Sequence, residues 1–347
     1  GPTFSTTGIL NQGTGTQTVN AGGGITMQSD PLPPTGTGPA HADAFVLIQN
    51  TPATDQFINA GLSLTNFGLG TVAVTTPAKQ TIIANNGGIS ISTLSTDVNS
   101  VTKVSAGGDQ LVRARYVNVQ TGAGSTGDAS LAATGNQWIH TTQGTASSSG
   151  NSMRVAALGT GTASVTAGAS QLLELDYPEQ MQGGAGGNLM VGDINAGGTS
   201  RVKAVDQNVF ARSITVQSGL ANSISELKAT GTQIITTMQG GISVLGGSGD
   251  NSLAQIDPLT QTILSNGTVD VAGGAGLNAI AQIVSGGAQT IFGTFGNITL
   301  GGGAGTNADA LISTPASLQT IGTVGNITLT AGAGPGADAS IINASGI

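Results

Sequence analysis

Apolar positions in this chain fall in short alternating runs rather than in helical stripes. QTIF (289–292), GNITL (296–300) and ADALI (308–312) follow one another within a single stretch. Each alternates with period two, the signature of a strand, and no helical period is sustained anywhere. Glycine-rich corners such as GGGAG (301–305) separate the runs. They are expected to turn the chain through positive φ.

The same cadence recurs along the whole length. A Gln leading an alternating apolar run stands at Gln17, Gln56, Gln80, Gln110, Gln137, Gln171, Gln207, Gln233, Gln261, Gln289 and Gln319. The intervals are 39, 24, 30, 27, 34, 36, 26, 28, 28 and 30 residues, so the cleanest repeats lie in 233–347. Near the end one phrase appears twice, as FGNITLGGGAGTNADAL (295–311) and VGNITLTAGAGPGADAS (324–340). Three short strands and three corners per roughly 29 residues make one coil of a parallel β-solenoid. The expected fold is all-β: a right-handed parallel β-solenoid of about eleven coils, forming one domain over 1–347. At about 4.8 Å per coil it would be a rod of about 50 Å. Residues 1–16 are expected to be irregular. Inserts are expected at 31–40, 141–152 and 176–187, where Pro, Gly and Ser interrupt the cadence.

Alternation also assigns faces. Each Gln shares a strand face with the apolar residue two positions on. If Ile263, Ile291 and Ile321 point inward, so do Gln261, Gln289 and Gln319. Buried amides need partners, and a stacked column supplies them from coil to coil. The residue after each Gln should point outward. In the last copies it is Thr262, Thr290 and Thr320. In the middle copies it is Phe57, Leu111, Trp138, Leu172 and Ile234, interrupted by Thr81 and Asn208. A row of large apolar side chains on an outer face is a candidate contact stripe.

Composition narrows the class. With 57 Gly, 3% aromatic and 7% charged residues in 347, the chain has too few large side chains to fill two ordinary cores. Its richness in Ile, Val and Thr argues equally against disorder. There is no Cys, hence no disulfide or thiolate metal site. The net charge of −8 argues against a nucleic-acid surface. Every Lys and Arg lies between Lys79 and Lys228. No apolar run is long enough to insert in a membrane as a helix. No signal peptide opens the sequence, and Gly1-Pro2 reads as a processing scar.

Candidate chemistry is sparse. Glu174, Asp176 and Glu179 form the densest acidic cluster, and Arg113 and Arg115 could form a surface ion network with Asp109. A carbohydrate-active β-helix enzyme would need clustered carboxylates along a groove, so an enzyme is not expected. His41 and His140 are too far apart in sequence for a zinc site. GGSGDNSLA (246–254) and GAGTNADAL (303–311) carry Asp250 and Asp309, with Asp338 and Asn278 in neighbouring copies. They keep calcium as the alternative to no cofactor, although calcium-binding Gly/Asp repeats need a nine-residue tandem period. Otherwise no cofactor is expected.

GNITLTAGAG, GGISVLGGSG and GGISIS, with the recurring QTI, resemble filamentous-haemagglutinin-like exoproteins of Gram-negative bacteria. The resemblance covers most of the chain, best from Gln233 to Ile347. It implies a secreted, cell-surface or extracellular β-helical adhesin of the two-partner-secretion type, contacting host or neighbouring-cell molecules or glycans. The Asn-Pro-Asn-Gly secretion signature of such exoproteins is absent, so an interior repeat region is expected. An adhesin stalk is the first functional expectation. A fibre subunit stacking end to end on itself is the second, because the sequence stops inside a repeat without a polar cap.

Overall fold

A computed structural model of the chain describes residues 5–29, 44–51, 53–68, 70–85, 87–142, 151–175, 187–315 and 318–344. Among these residues there is no helix. The strands build three parallel sheets, of 12, 11 and 11 strands, in which each strand pairs with those three elements before and after it. The first sheet runs from Ser5–Asn11 to Ala339–Asn343, the second from Gln17–Asn20 to Gln319–Thr323, and the third from Ile25–Gln28 to Ile327–Thr330. The molecule is a parallel β-solenoid.

The start of the chain departs from expectation. Ser5–Asn11 is not irregular but a full strand, in register with Ala44–Asn50. Its STTGILN has no leading Gln and alternates poorly, so pairing with the next coil supplies the order that its pattern does not announce. The insert 31–40 lies outside the described residues, as do 143–150 and 176–186 of the other two.

Each coil contributes a few aliphatic side chains to one continuous core. The third sheet gives two per strand, such as Val117 and Val119 or Ile242 and Val244, all fully buried. The first gives a large central residue, such as Leu131 or Ile283, commonly with a smaller one two positions before it, such as Ala129 or Ala281. The second gives the residue two after each Gln, such as Ile139 or Ile291. A single buried cluster extends from Met27 to Ile312. A coil cannot shield these residues alone, and stacking the next coil at strand spacing removes them from water. The few large side chains therefore suffice, because the cross-section to be filled is small.

The glycine corners meet the sequence expectation in part: Gly24, Gly70, Gly124, Gly187 and Gly192 do turn the chain at positive φ, whereas the GGGAG corner works differently. None of Gly301, Gly302, Gly303 and Gly305 has positive φ; in the corners from Asn222 onward, between the third and first sheets, that role falls to Asn222, Asn251, Asn278 and Asn307, at φ 60°, 55°, 54° and 52°, and then to Gly336 at 67°. Gly302, Gly303 and Gly305 are there for proximity. A Cβ on Gly274, Gly303 or Gly332 would lie 2.0, 1.9 or 2.1 Å from the carbonyl oxygen of Gly247, Gly274 or Gly303 in the preceding coil. A second column behaves alike, with Gly305 and Gly334 closing on Gly276 and Gly305 at 1.9 and 2.0 Å.

Candidate functional site

The Gln-led strands make the second sheet, and every Gln is in register with the next. From Gln17 to Gln289 the side chains are buried, and Gln319 is half-buried. Each Nε2–H donates to the Oε1 of the preceding Gln, ten bonds in all, mostly between 2.6 and 2.9 Å, with Gln261 to Gln233 the longest at 3.2 Å. At the first position Gln17 Nε2 turns to the Gln49 carbonyl, 3.3 Å away. One side-chain type repeated at one register position thus gives a polar spine inside an apolar tube.

A shallow groove lies on the outer face of this sheet. Its volume is about 410 Å³, and it crosses the successive strands led by Gln80, Gln110, Gln137 and Gln171. One wall is apolar: Leu111, Trp138 and Leu172, neighbours in register, with Thr81 and Asn208 at its two ends. The other wall is polar and comes from the residue before each Gln: Lys79, Asp109, Asn136 and Ser170.

Trp138 is 44% exposed, and Phe57 and Ile234 are exposed beyond the two ends of the groove. Leu111 and Leu172 are half-buried on either side of Trp138. The candidate contact stripe is therefore split. Thr81 separates Phe57 from the three central residues, and Asn208 separates Ile234 from them.

The indole is anchored. Trp138 Nε1–H donates to Glu174 Oε2 at 2.8 Å. The same carboxylate oxygen lies 3.4 Å from His140 Nδ1, and the two rings meet edge to face with centroids 6.3 Å apart. Glu174 thus stands on a strand and holds the groove's Trp138, rather than sitting in an acidic loop; Asp176 and Glu179 lie outside the described residues. His41 does too, and His140 is packed against Trp138 and Glu174. Asp109 faces Lys79 at 3.9 Å and accepts the Asn136 N–H at 2.9 Å, so it does not join Arg113 and Arg115 in the expected network. Only alternation and register, applied across two strands, would have brought Trp138, His140 and Glu174 together from the sequence.

The calcium-like corners also resolve into structure. Asp250 Oδ1 accepts the N–H of Leu277 and Asp309 Oδ1 that of Asp338, each at 2.9 Å. The two aspartates stand in different columns. Asp250 precedes the positive-φ Asn251, whereas Asp309 follows Asn307 by two residues and is in line with Asp338. No group of three or more His, Cys, Asp or Glu able to hold a metal ion occurs among the described residues.

Sequence reading missed one outer cluster. On the first sheet Arg201 Nε pairs with the Glu226 carboxylate, whose side chain is 5% exposed. Gln255 Nε2 donates to Glu226 at 3.0 Å, and Gln282 to Gln255 at 2.8 Å. The recurrence of LAQID (253–257) and IAQIV (280–284) was its only signal.

Compared with protein-family models, with curated proteins and with solved structures, the chain has no match.

Proposed function

We propose that this chain is a rod-like structural segment of a secreted bacterial surface protein, an adhesin stalk that carries binding surface on its flank. The observation that carries this reading is the amide column, which runs through all eleven Gln-led strands beside one continuous core. Such a cross-section gains length by adding coils, each stabilised by its neighbours. The resemblance of the GNITL and GGISV phrases to haemagglutinin-like exoproteins supports the surface setting. Immunogold labelling of intact producing cells tests it. Gold on or beyond the envelope is the expected result, and gold confined to the interior overturns it.

A second reading, a fibre subunit stacking end to end, has its own observation. Ile327 and Leu329 in the last described coil are each 46% exposed, whereas their counterparts Ile298 and Leu300 are 0% and 1% exposed. A second copy seated on this coil would bury them, as would a further coil of the same chain. Sedimentation at rising concentration decides. Association removed by Leu329→Lys supports the fibre, and a monomer at every concentration excludes it.

A further inference from the structure

We propose that the groove beside Trp138 binds a linear, neutral oligosaccharide laid along the solenoid axis. The proposal deepens the adhesin reading and rests on it for the ligand's setting, while the chemistry comes from the groove itself.

The two walls differ in kind. Leu111, Trp138 and Leu172 offer carbon surface, and Asp109, Asn136 and Ser170 stand opposite with polar groups. A pyranose ring has the matching division, with C–H groups on its faces and hydroxyls around its rim. Trp138 is suited to be the platform. Its N–H is engaged by Glu174 and its ring is held against His140, so it presents carbon to solvent. A side chain already ordered loses little entropy when a ligand arrives. Around it the Thr81 and Ser170 hydroxyls and the Asn208 amide have no hydrogen-bond partner among the described residues, which leaves donors and acceptors for a sugar rim.

The groove disfavours other occupants. Lys79 is balanced by Asp109 at 3.9 Å, so there is no surplus of positive charge for a polyanion. An extended peptide would seek an open strand edge. The groove instead runs across strands whose backbone groups already pair with one another. Its volume, about 410 Å³, is that of a small-ligand site. Four strands at about 4.8 Å give it the elongated shape of a short chain of rings.

Trp138 is the only tryptophan, so its fluorescence reports on the groove directly. The intact chain is titrated with linear neutral glucan, mannan and galactan fragments, and in parallel with a heparin fragment. A saturable change in emission with at least one neutral fragment, insensitive to added salt, is the expected result. In calorimetry Trp138→Ala and Asn208→Ala should each bind that fragment about tenfold more weakly or worse, with circular dichroism unchanged. Phe292→Ala, which removes an exposed aromatic of the same sheet outside the groove, should bind like the parent. Three results would each overturn the proposal: no response to any neutral fragment at millimolar concentration, full binding by Trp138→Ala, or a response to heparin alone that collapses with salt. If electron micrographs of that same preparation show intact rods, the sugar assignment falls alone. If they show no rods, the stalk reading falls with it.

Discussion

Gln289 stands between two identical side chains, donating to Gln261 at 2.9 Å and accepting from Gln319 at 2.8 Å. Leucine at this position would leave the buried Gln261 oxygen and the half-buried Gln319 N–H without these partners. Each orphaned group costs about 1–3 kcal/mol. Gln289→Leu should therefore lower the midpoint of urea unfolding by an amount equivalent to about 2 kcal/mol or more. Gln319→Leu, with one bond at stake and a half-buried side chain, should cost clearly less. Equal effects would show that the amides do not act as a chain. Asn278 gives a second test. It holds φ at 54° and donates to Asn251 Oδ1 at 2.9 Å. Asn278→Ala keeps the strain and loses both this bond and the one it accepts from Asn307 Nδ2 at 3.2 Å, for about 1–2 kcal/mol. Asn278→Gly loses the same bonds but relieves the strain, so it should cost clearly less than Asn278→Ala, as Gly336 in the equivalent place shows that glycine fits. The glutamine column was legible from recurrence alone. The asparagine column was not, because only the backbone angle distinguishes it from an acidic calcium-like motif.

For the corners between the third and first sheets, the limiting quantity is the gap between coils. Gly303 has no room for a Cβ, which would overlap the Gly274 carbonyl oxygen at 1.9 Å, whereas a Cβ on Gly301 meets nothing within 4 Å. Gly303→Ala should push two coils apart locally at a cost of about 2–3 kcal/mol, and Gly301→Ala should be tolerated. Thermal unfolding of the two variants, followed by circular dichroism, compares them directly. Similar midpoints would mean that the corner yields to a methyl group and that stacking there is loose. Both glycines look alike in GGGAG; what separates them is the chain one coil earlier, 29 residues away.

Along the whole molecule, coils should be interchangeable units. Removing residues 261–288 takes out one full interval of 28 residues and joins Thr260 directly to Gln289, in the same register that Gln261 had. This deletion should leave a folded rod, shorter by about 4.8 Å, with an intact β signal. Removing only 261–274 should abolish the fold beyond the cut, because Gly, corner and strand positions would stack out of phase. Small-angle scattering and circular dichroism read both outcomes. A folded half-coil deletion would contradict the stacking account of stability.

The sequence by itself determined the period, the strand character, the inward Gln and the outward residue beside it. All follow from alternation within a strand and from a repeat that forces equal positions into line. Tertiary structure decided what lies between coils. It made Ser5–Asn11 a strand by pairing it with Ala44–Asn50, and in the corners after the third sheet it assigned Gly303 and Gly305 to close approach and Asn278 and Asn307 to positive φ. It also drew Trp138, His140 and Glu174 into one cluster from two neighbouring strands. Alternation says which way a side chain points. Its neighbour in the next coil depends on strand register and on the corners that set it, and those are properties of the folded stack.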